Sequence, residues 1–161
     1  MFRNLLVPLF LFSLAVYAEE TIQFYAAGDT IEPITLQDQN DKTFTVDEST
    51  KLILFTAGMK GGKVVRQAIE KEEPDYLAKR NTVFLSNISG MPGFIAKNFA
   101  IPKMKEHKYS IVLDREGNVT KRFPSQEQST TIVELDKLKI KSISFTKKPE
   151  DVNRAINQVS D

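Results

Sequence analysis

The segment Lys60–Lys63, which reads Lys-Gly-Gly-Lys, holds the residue types of this chain that are best suited to chemistry. It follows an apolar run at 52–55 and precedes apolar residues at helical spacing over 64–69, so we expect it at the start of a helix. Backbone N–H groups are unpaired there, and glycines let a ligand approach them closely. We therefore predict an anion site for a carboxylate, a phosphate or an acidic peptide. Its candidate residues are Lys60, Gly61, Gly62 and Lys63, and the alternative is a solvated turn that binds nothing.

The chain lacks the residues that other common catalytic sites require. The chain contains no cysteine, so it has no thiolate for disulfide exchange. Its single histidine, His107, lies in a basic stretch, where we expect a solvated side chain rather than a catalytic one. One histidine without thiolates cannot form a His-rich metal site, and no Gly-x-Ser-x-Gly nucleophile elbow is present. We therefore predict no metal and no cofactor.

The first residues have the layout of a secretory signal. A positive start at 1–4 is followed by an apolar run at 5–16 and by the small residue Ala18. The run is shorter than the roughly 20 residues that a membrane-spanning helix needs. We therefore predict a signal peptide at residues 1–18 that is cleaved after Ala18. The mature protein would be one domain at 19–161, periplasmic or secreted, with no stable membrane anchor.

The charge of this mature domain is balanced. Loss of Arg3 reduces the 22 basic residues to 21, which equals the 21 acidic ones. Such a surface has no basic field to attract nucleic acid, so we expect no nucleic-acid partner. Without disulfides, the domain must be stabilised by packing.

The first half of the mature chain predicts strands around one helix. Alternating residues over 28–46 with a polar turn at 39–42 indicate a β-hairpin, and a further short strand is expected at Glu20–Phe24. Apolar runs predict strands at Leu52–Thr56 and at Thr82–Ser86. The helix between them extends from Gly62 to about Arg80, with an interruption at Pro74. Two strands that flank a helix in this way form a parallel pair.

The second half predicts a mixed set of elements. Phe94, Ile95 and Phe99 lie on one face of a short helix that ends at Ile101–Pro102. The later elements are a strand at Tyr109–Asp114, a glycine turn at 115–118 that leads into 119–123, a hairpin of strands at 130–135 and 139–145, and an amphipathic helix that begins at Pro149. Asp114 is placed to accept hydrogen bonds within its turn.

The stretch 89–104 is rich in methionine, phenylalanine and proline. If part of this apolar surface is exposed, it suits a protein partner, with Met91, Pro92 and Phe94 as the candidate contact residues. The alternative, which we favour here, is ordinary core packing of Phe94, Ile95 and Phe99.

The order of elements, the segment Lys51–Ile69 and the strand, acidic residue and glycine turn at 112–119 resemble the thioredoxin-like fold. Within that fold, the early hairpin is typical of the branch with peroxiredoxins and exported thioredoxin-like proteins. The resemblance implies an α/β fold: a mixed β-sheet flanked by helices, with an N-terminal β-hairpin extension. It also places the redox cysteine positions at Lys60 and Lys63 and the active-site cis-proline at Thr130, which joins the candidate anion site. A member without cysteine is redox-inactive, so thiol peroxidase and disulfide oxidoreductase activities are excluded.

These observations predict an exported, non-enzymatic binding or accessory module. Its partner would be another periplasmic or secreted protein, bound at the turn Gly58–Lys63 and Thr130. Two alternatives stay open at this point. One is a cysteine-independent enzyme or a small-ligand-binding protein in which Lys60 or Lys63 holds an anion. The other is an accessory subunit of a redox-active partner that supplies the thiols.

Overall fold

The computed structural model describes residues 21–159. The predicted signal peptide at 1–18 lies outside this range. Among the helices of residues 21–159, none combines the length and the apolar character that crossing a membrane requires.

Within residues 21–159, seven strands form one mixed sheet in the order β2-β1-β5-β4-β3-β6-β7. The strands are β1 (Ile34–Asp38), β2 (Thr43–Val46), β3 (Leu52–Thr56), β4 (Thr82–Asn87), β5 (Val112–Asp114), β6 (Thr130–Asp136) and β7 (Lys139–Thr146). β3, β4 and β5 run parallel to one another, and the other neighbouring pairs are antiparallel. Strand β3 is buried along its whole length between β4 and β6, as its unbroken apolar run predicts.

The helices pack against one face of this sheet. They are α1 (Met59–Ile69), α2 (Gly93–Ile95), α3 (Ile101–Met104) and α4 (Pro149–Gln158), and α2 joins α3 through a π-helical turn at Ala96–Ala100. Residues of α1 and α4 share one hydrophobic core with the sheet, and the α2–α3 segment (residues 93–104) packs against the same core. The core on the opposite face is covered by irregular chain, including Tyr25 and Phe123, whose rings are 5.2 Å apart.

The fold class predicted from the sequence is confirmed. The early hairpin is formed by β1 and β2, the strands β3 and β4 are the parallel pair that flanks α1, and β6 and β7 form the late hairpin. Helix α4 begins at Pro149 and buries Val152, Ala155 and Ile156, the apolar stripe of its sequence.

The predicted strand at Glu20–Phe24 is wrong over its described residues, because residues 21–24 are irregular. The Tyr25 N–H bonds to the Arg122 carbonyl, and the Arg122 Nε donates to the Gln23 carbonyl at 3.0 Å. Since Tyr25 packs over a face of the sheet, the segment has no neighbouring strand with which to form a ladder.

Two further elements are shorter than predicted. Helix α1 ends at Ile69, and residues 70–80 form turns with a 3₁₀ helix at Ala78–Arg80, so the interruption precedes Pro74. Strand β5 begins at Val112 rather than Tyr109. The buried Gln39 amide explains this, because it donates to the Tyr109 carbonyl and accepts from the Ile111 N–H, both at 2.7 Å.

The glycine turn after β5 is built around Asp114, as predicted. Its carboxylate, which is only 2% exposed, accepts hydrogen bonds from the N–H groups of Gly117, Val119 and Thr120 and from the Thr120 hydroxyl. These bonds hold residues 117–120 in turns, so no strand forms over 119–123.

The segment after β4 also differs from its prediction. The helical chain does not end at Ile101–Pro102, because α3 continues directly from the π-helical turn at Ala96–Ala100 and extends to Met104. Before α2, the Ser89 hydroxyl donates to the Asn87 side chain at 2.7 Å. This segment forms one wall of a cavity described below.

Candidate functional site

Helix α1 begins where the parallel strands β3 and β4 end. The chain leaves β3 at Thr56, and Gly58 precedes the helix with extended backbone and no side-chain cap. The Thr56 hydroxyl donates to the Ser86 hydroxyl at 3.3 Å and so links the carboxyl ends of β3 and β4. Ligands of α/β sheets bind at this end of the strands.

Gly61 is required by packing. The residue is buried, and a Cβ atom placed on it would collide with the Ser129 carbonyl oxygen. The buried Thr130 hydroxyl donates to the Gly61 carbonyl at 2.9 Å, so the structure brings these two predicted site residues together. In the interior of a helix glycine is unfavourable, and here this close approach of β6 explains it.

The predicted anion site is spread over different environments. Lys60 and Lys63 are exposed, whereas Gly61 and Gly62 are buried. Neither lysine makes an ion pair within residues 21–159. A small cavity of about 290 Å³ lies between the segment Ala57–Gly61 and the loop 125–129. The lysines and glycines therefore do not converge on one enclosed anion pocket, and the anion site stays a prediction.

A larger cavity lies on the other side of the first turn of α1, between that helix and the α2–α3 segment. We call it the α1–α3 cavity, and its volume is about 550 Å³. Apolar side chains form most of its wall: Met59, Phe84, Ile88, Met91, Pro92, Ile95, Ala100, Met104 and Ile111. Its polar residues include Ser86 and Asn87 at the end of β4 and the basic residues Arg66, Lys103 and His107. Gly62 opens onto this cavity, because a Cβ placed there would stay 3.4 Å or more from its neighbours.

Sequence reasoning missed this cavity. Met91 and Pro92 were singled out as partner-binding residues, and they line it, but nothing in the spacing of 89–104 shows that the segment stands away from α1. The signal that could have found it is the pair Gly61-Gly62. One glycine admits β6 on one side of the helix, and the other leaves room for a cavity on the opposite side.

His107 is not the freely solvated side chain that the sequence predicted. Its ring is half-buried and stacks on Tyr109 with the ring centres 5.1 Å apart. Burial lowers the pKa of His107, and the nearby positive charge of Arg66 lowers it further. Burial also raises the pKa of Tyr109 to about 12. Both rings are therefore uncharged near neutral pH.

The predicted core packing of Phe94, Ile95 and Phe99 is wrong. Their side chains are 69%, 41% and 59% exposed, and the two phenylalanine rings pack on each other with their centres 5.9 Å apart. Helical periodicity correctly identified a shared face, but no other segment of residues 21–159 covers that face.

The comparisons with known proteins identify a fold. Peroxidoxin BcpB from Mycobacterium tuberculosis matches with a TM-score of 0.54 and 15% identity, over 83% of this chain and 96% of that one. The thioredoxin domain of a thiol-disulfide oxidoreductase from Bacteroides vulgatus matches at 0.52 and 17%, over 85% and 99%. A hypothetical protein from Sinorhizobium meliloti 1021 matches at 0.56 and 15%, over 84% and 85%. No protein-family model and no curated protein matches the chain.

The chain therefore has a thioredoxin-like fold, of the kind found in peroxiredoxins, and it contains no cysteine. At these identities the likeness shows the fold alone. The residues at the start of α1 that could supply a thiol in such a fold are lysines and glycines here, so the function has to be argued from this chain's own cavities and side chains.

The two glycines of α1 should respond oppositely to the same substitution. Gly61→Ala forces a methyl group against the Ser129 carbonyl and should lower the free energy of unfolding by about 1–3 kcal/mol. Gly62→Ala places its methyl group 3.4 Å or more from its neighbours, in ordinary van der Waals contact, and should raise the free energy of unfolding by about 0.5–1 kcal/mol, since alanine favours helix. Chemical denaturation of the two variants measures both values, and changes of the same sign would contradict this account of the helix.

His107 gives one histidine signal in an NMR titration, because the chain has no other histidine. We expect its midpoint below the ordinary 6.5 in the folded protein and near 6.5 in denaturant. The unfolded chain then binds this proton more readily, so protonation of His107 weakens folding as the pH falls through about 6.5. A folded-state midpoint at or above 6.5 would show that the ring is solvated or paired with a carboxylate.

Proposed function

We propose that this protein is a non-enzymatic binding module, and that the α1–α3 cavity holds the apolar part of its ligand. The observation that carries this proposal is the cavity itself, at the carboxyl ends of the parallel strands β3 and β4. Its volume of about 550 Å³ falls within the roughly 300–1,000 Å³ of small-molecule sites. A mostly apolar wall with a few polar groups is also typical of such sites.

Lys60 and Lys63, which stand where the resemblance places redox cysteines, favour binding over catalysis. No side chain of this chain can supply a thiolate, so peroxidase and disulfide-exchange chemistry have no nucleophile. A lysine that acts as a base or nucleophile is desolvated in its site, whereas Lys60 and Lys63 are exposed. The structure therefore gives no support to the alternative of a lysine-based enzyme.

We also propose that the module acts outside the cytoplasm, in the periplasm or after secretion. The support is the order of charged start, apolar run and small residue in the first 18 residues. Ligands and partners would then be molecules of that compartment.

A second candidate function is the docking of another extracytoplasmic protein. It is favoured by the exposed ring pair Phe94 and Phe99 beside Met91 and Pro92, and it includes the case of a redox-active partner that supplies the thiols. Phe94→Ser should then abolish capture of such a partner while the cavity still binds apolar probes. Unchanged capture by this variant would remove the ring pair from consideration.

Filling the cavity should abolish ligand binding without unfolding the protein. Ala100 lines the α1–α3 cavity from the π-helical turn, so Ala100→Phe places a ring inside it. We expect this variant to bind the neutral fluorescent probe N-phenylnaphthylamine at least tenfold more weakly than the unmodified protein. Ala78→Phe, which adds the same ring at an exposed position away from the cavity, is the matched control. Thermal unfolding confirms that both variants are folded.

Two results would overturn the proposal. One is equal probe binding by Ala100→Phe and the unmodified protein, because the probe would then lie elsewhere. The other is the absence of any binding by the unmodified protein.

A further inference from the structure

The ionisable residues around the α1–α3 cavity are all basic. Arg66 of α1, Lys103 of α3 and His107 line it, and no aspartate or glutamate of the described chain does. The stretches that form its helical walls, 57–69 and 88–105, contain no acidic residue in their sequence. The chain as a whole is close to neutral, so this separation of charge is local.

Arg66 differs from every other arginine in residues 21–159. Four arginines have partners: Arg80 bonds to the Tyr76 carbonyl, Arg115 pairs with Asp41, Arg122 bonds to the Gln23 carbonyl and Arg154 pairs with Asp151. The side chain of Arg66 is half-buried and makes no hydrogen bond or ion pair within the same residues. Its Nη1 lies only 3.4 Å from the position that a Cβ on Gly62 would occupy, so the guanidinium borders the opening that this glycine leaves.

A second polar group of the cavity is available to a ligand. The side chain of Ser86 is buried with 7% exposure, and its oxygen accepts the hydrogen bond from Thr56. Its own hydroxyl proton is donated to no acceptor within residues 21–159. Arg66 and Ser86 therefore offer hydrogen-bond donors in a cavity whose other walls are mostly apolar, and no acidic group accepts them.

We infer that the α1–α3 cavity binds a small amphipathic anion, whose acidic group pairs with Arg66 and whose apolar body lies among Phe84, Ile88 and Met104. The inference rests on the proposed function, since it names the chemical class of the cavity's ligand. A guanidinium forms paired, charge-assisted hydrogen bonds with a carboxylate or a sulfonate, and partial burial strengthens them. The exposed Lys103 adds attraction at longer range, and His107 contributes no negative charge that would repel the anion.

The test uses two fluorescent probes that share their rings and differ in one charged group. Anilinonaphthalene sulfonate is the anionic probe, and N-phenylnaphthylamine is its neutral counterpart. We expect the unmodified protein to bind the anionic probe at least tenfold more tightly than the neutral one. Arg66→Met keeps an apolar side chain and removes the charge, so it should weaken the anionic probe by about ten- to a hundredfold and leave the neutral probe unchanged.

Two further variants separate charge from structure. Arg66→Lys keeps the charge without the planar fork and should give an intermediate affinity for the anionic probe. Arg154→Met removes an arginine of α4 that is mostly exposed and pairs with Asp151, and it should leave both probes unchanged. In the unmodified protein the bound anion should also raise the NMR titration midpoint of His107, because a nearby negative charge favours the protonated ring. Decanoate should displace the anionic probe, and decanol should displace it more weakly.

Each outcome has a distinct meaning. Equal affinity for the two probes, or anionic-probe binding that Arg66→Met leaves intact, would overturn the inference while the cavity-binding function stands. Failure of both probes to bind the folded protein would overturn the function and the inference together. Loss of the anionic probe in Arg154→Met to the same degree as in Arg66→Met would place the anion elsewhere and also overturn the inference.

Discussion

The close approach of α1 to the start of β6 is the contact on which the site depends. Gly61 lies against the Ser129 carbonyl, and the Thr130 hydroxyl bonds to the Gly61 carbonyl at 2.9 Å. This contact fixes one side of the first turn of α1. Because the turn is held there, its opposite side, at Gly62, faces the α2–α3 segment across a gap rather than packing on it. The same two glycines thus explain both the packing of the helix and the cavity beside it.

Most of the sheet could be predicted from the sequence, because burial leaves a strong pattern in it. The unbroken apolar run of β3 and the glycine turn after Asp114 gave correct assignments from local residues alone. Residues 119–123 form turns rather than a strand, because the Asp114 carboxylate accepts hydrogen bonds from the N–H and hydroxyl of Thr120. Strand β5 begins later than predicted for a similar reason, since the buried Gln39 side chain replaces a strand neighbour over 109–111. Such competition depends on residues far apart in the chain, and periodicity does not report it.

The candidate site was predicted less well than the fold, for a physical reason. Helical spacing shows that Phe94 and Phe99 share a face, but whether that face is covered depends on the distance between whole elements. In the structure the α2–α3 segment contacts the core through Ala96, Ile101 and Met104, and the two phenylalanines point away from it. The glycines between Lys60 and Lys63 suggested a ligand cradle, and one of them proved to be a packing requirement. The chain has no cysteine, and its α1–α3 cavity lies at the carboxyl ends of the parallel strands β3 and β4, where our proposal places the ligand.

The most direct test of this account is an NMR map of amide shifts in isotope-labelled protein during addition of N-phenylnaphthylamine. The account predicts shifts at Gly62 of α1, Ser86 of β4 and Gly90 of the following loop, which all line the α1–α3 cavity, and none at Lys141 on the distant strand β7. Shifts confined to the amides of Phe94 and Phe99, or an unchanged spectrum at saturating probe, would contradict it.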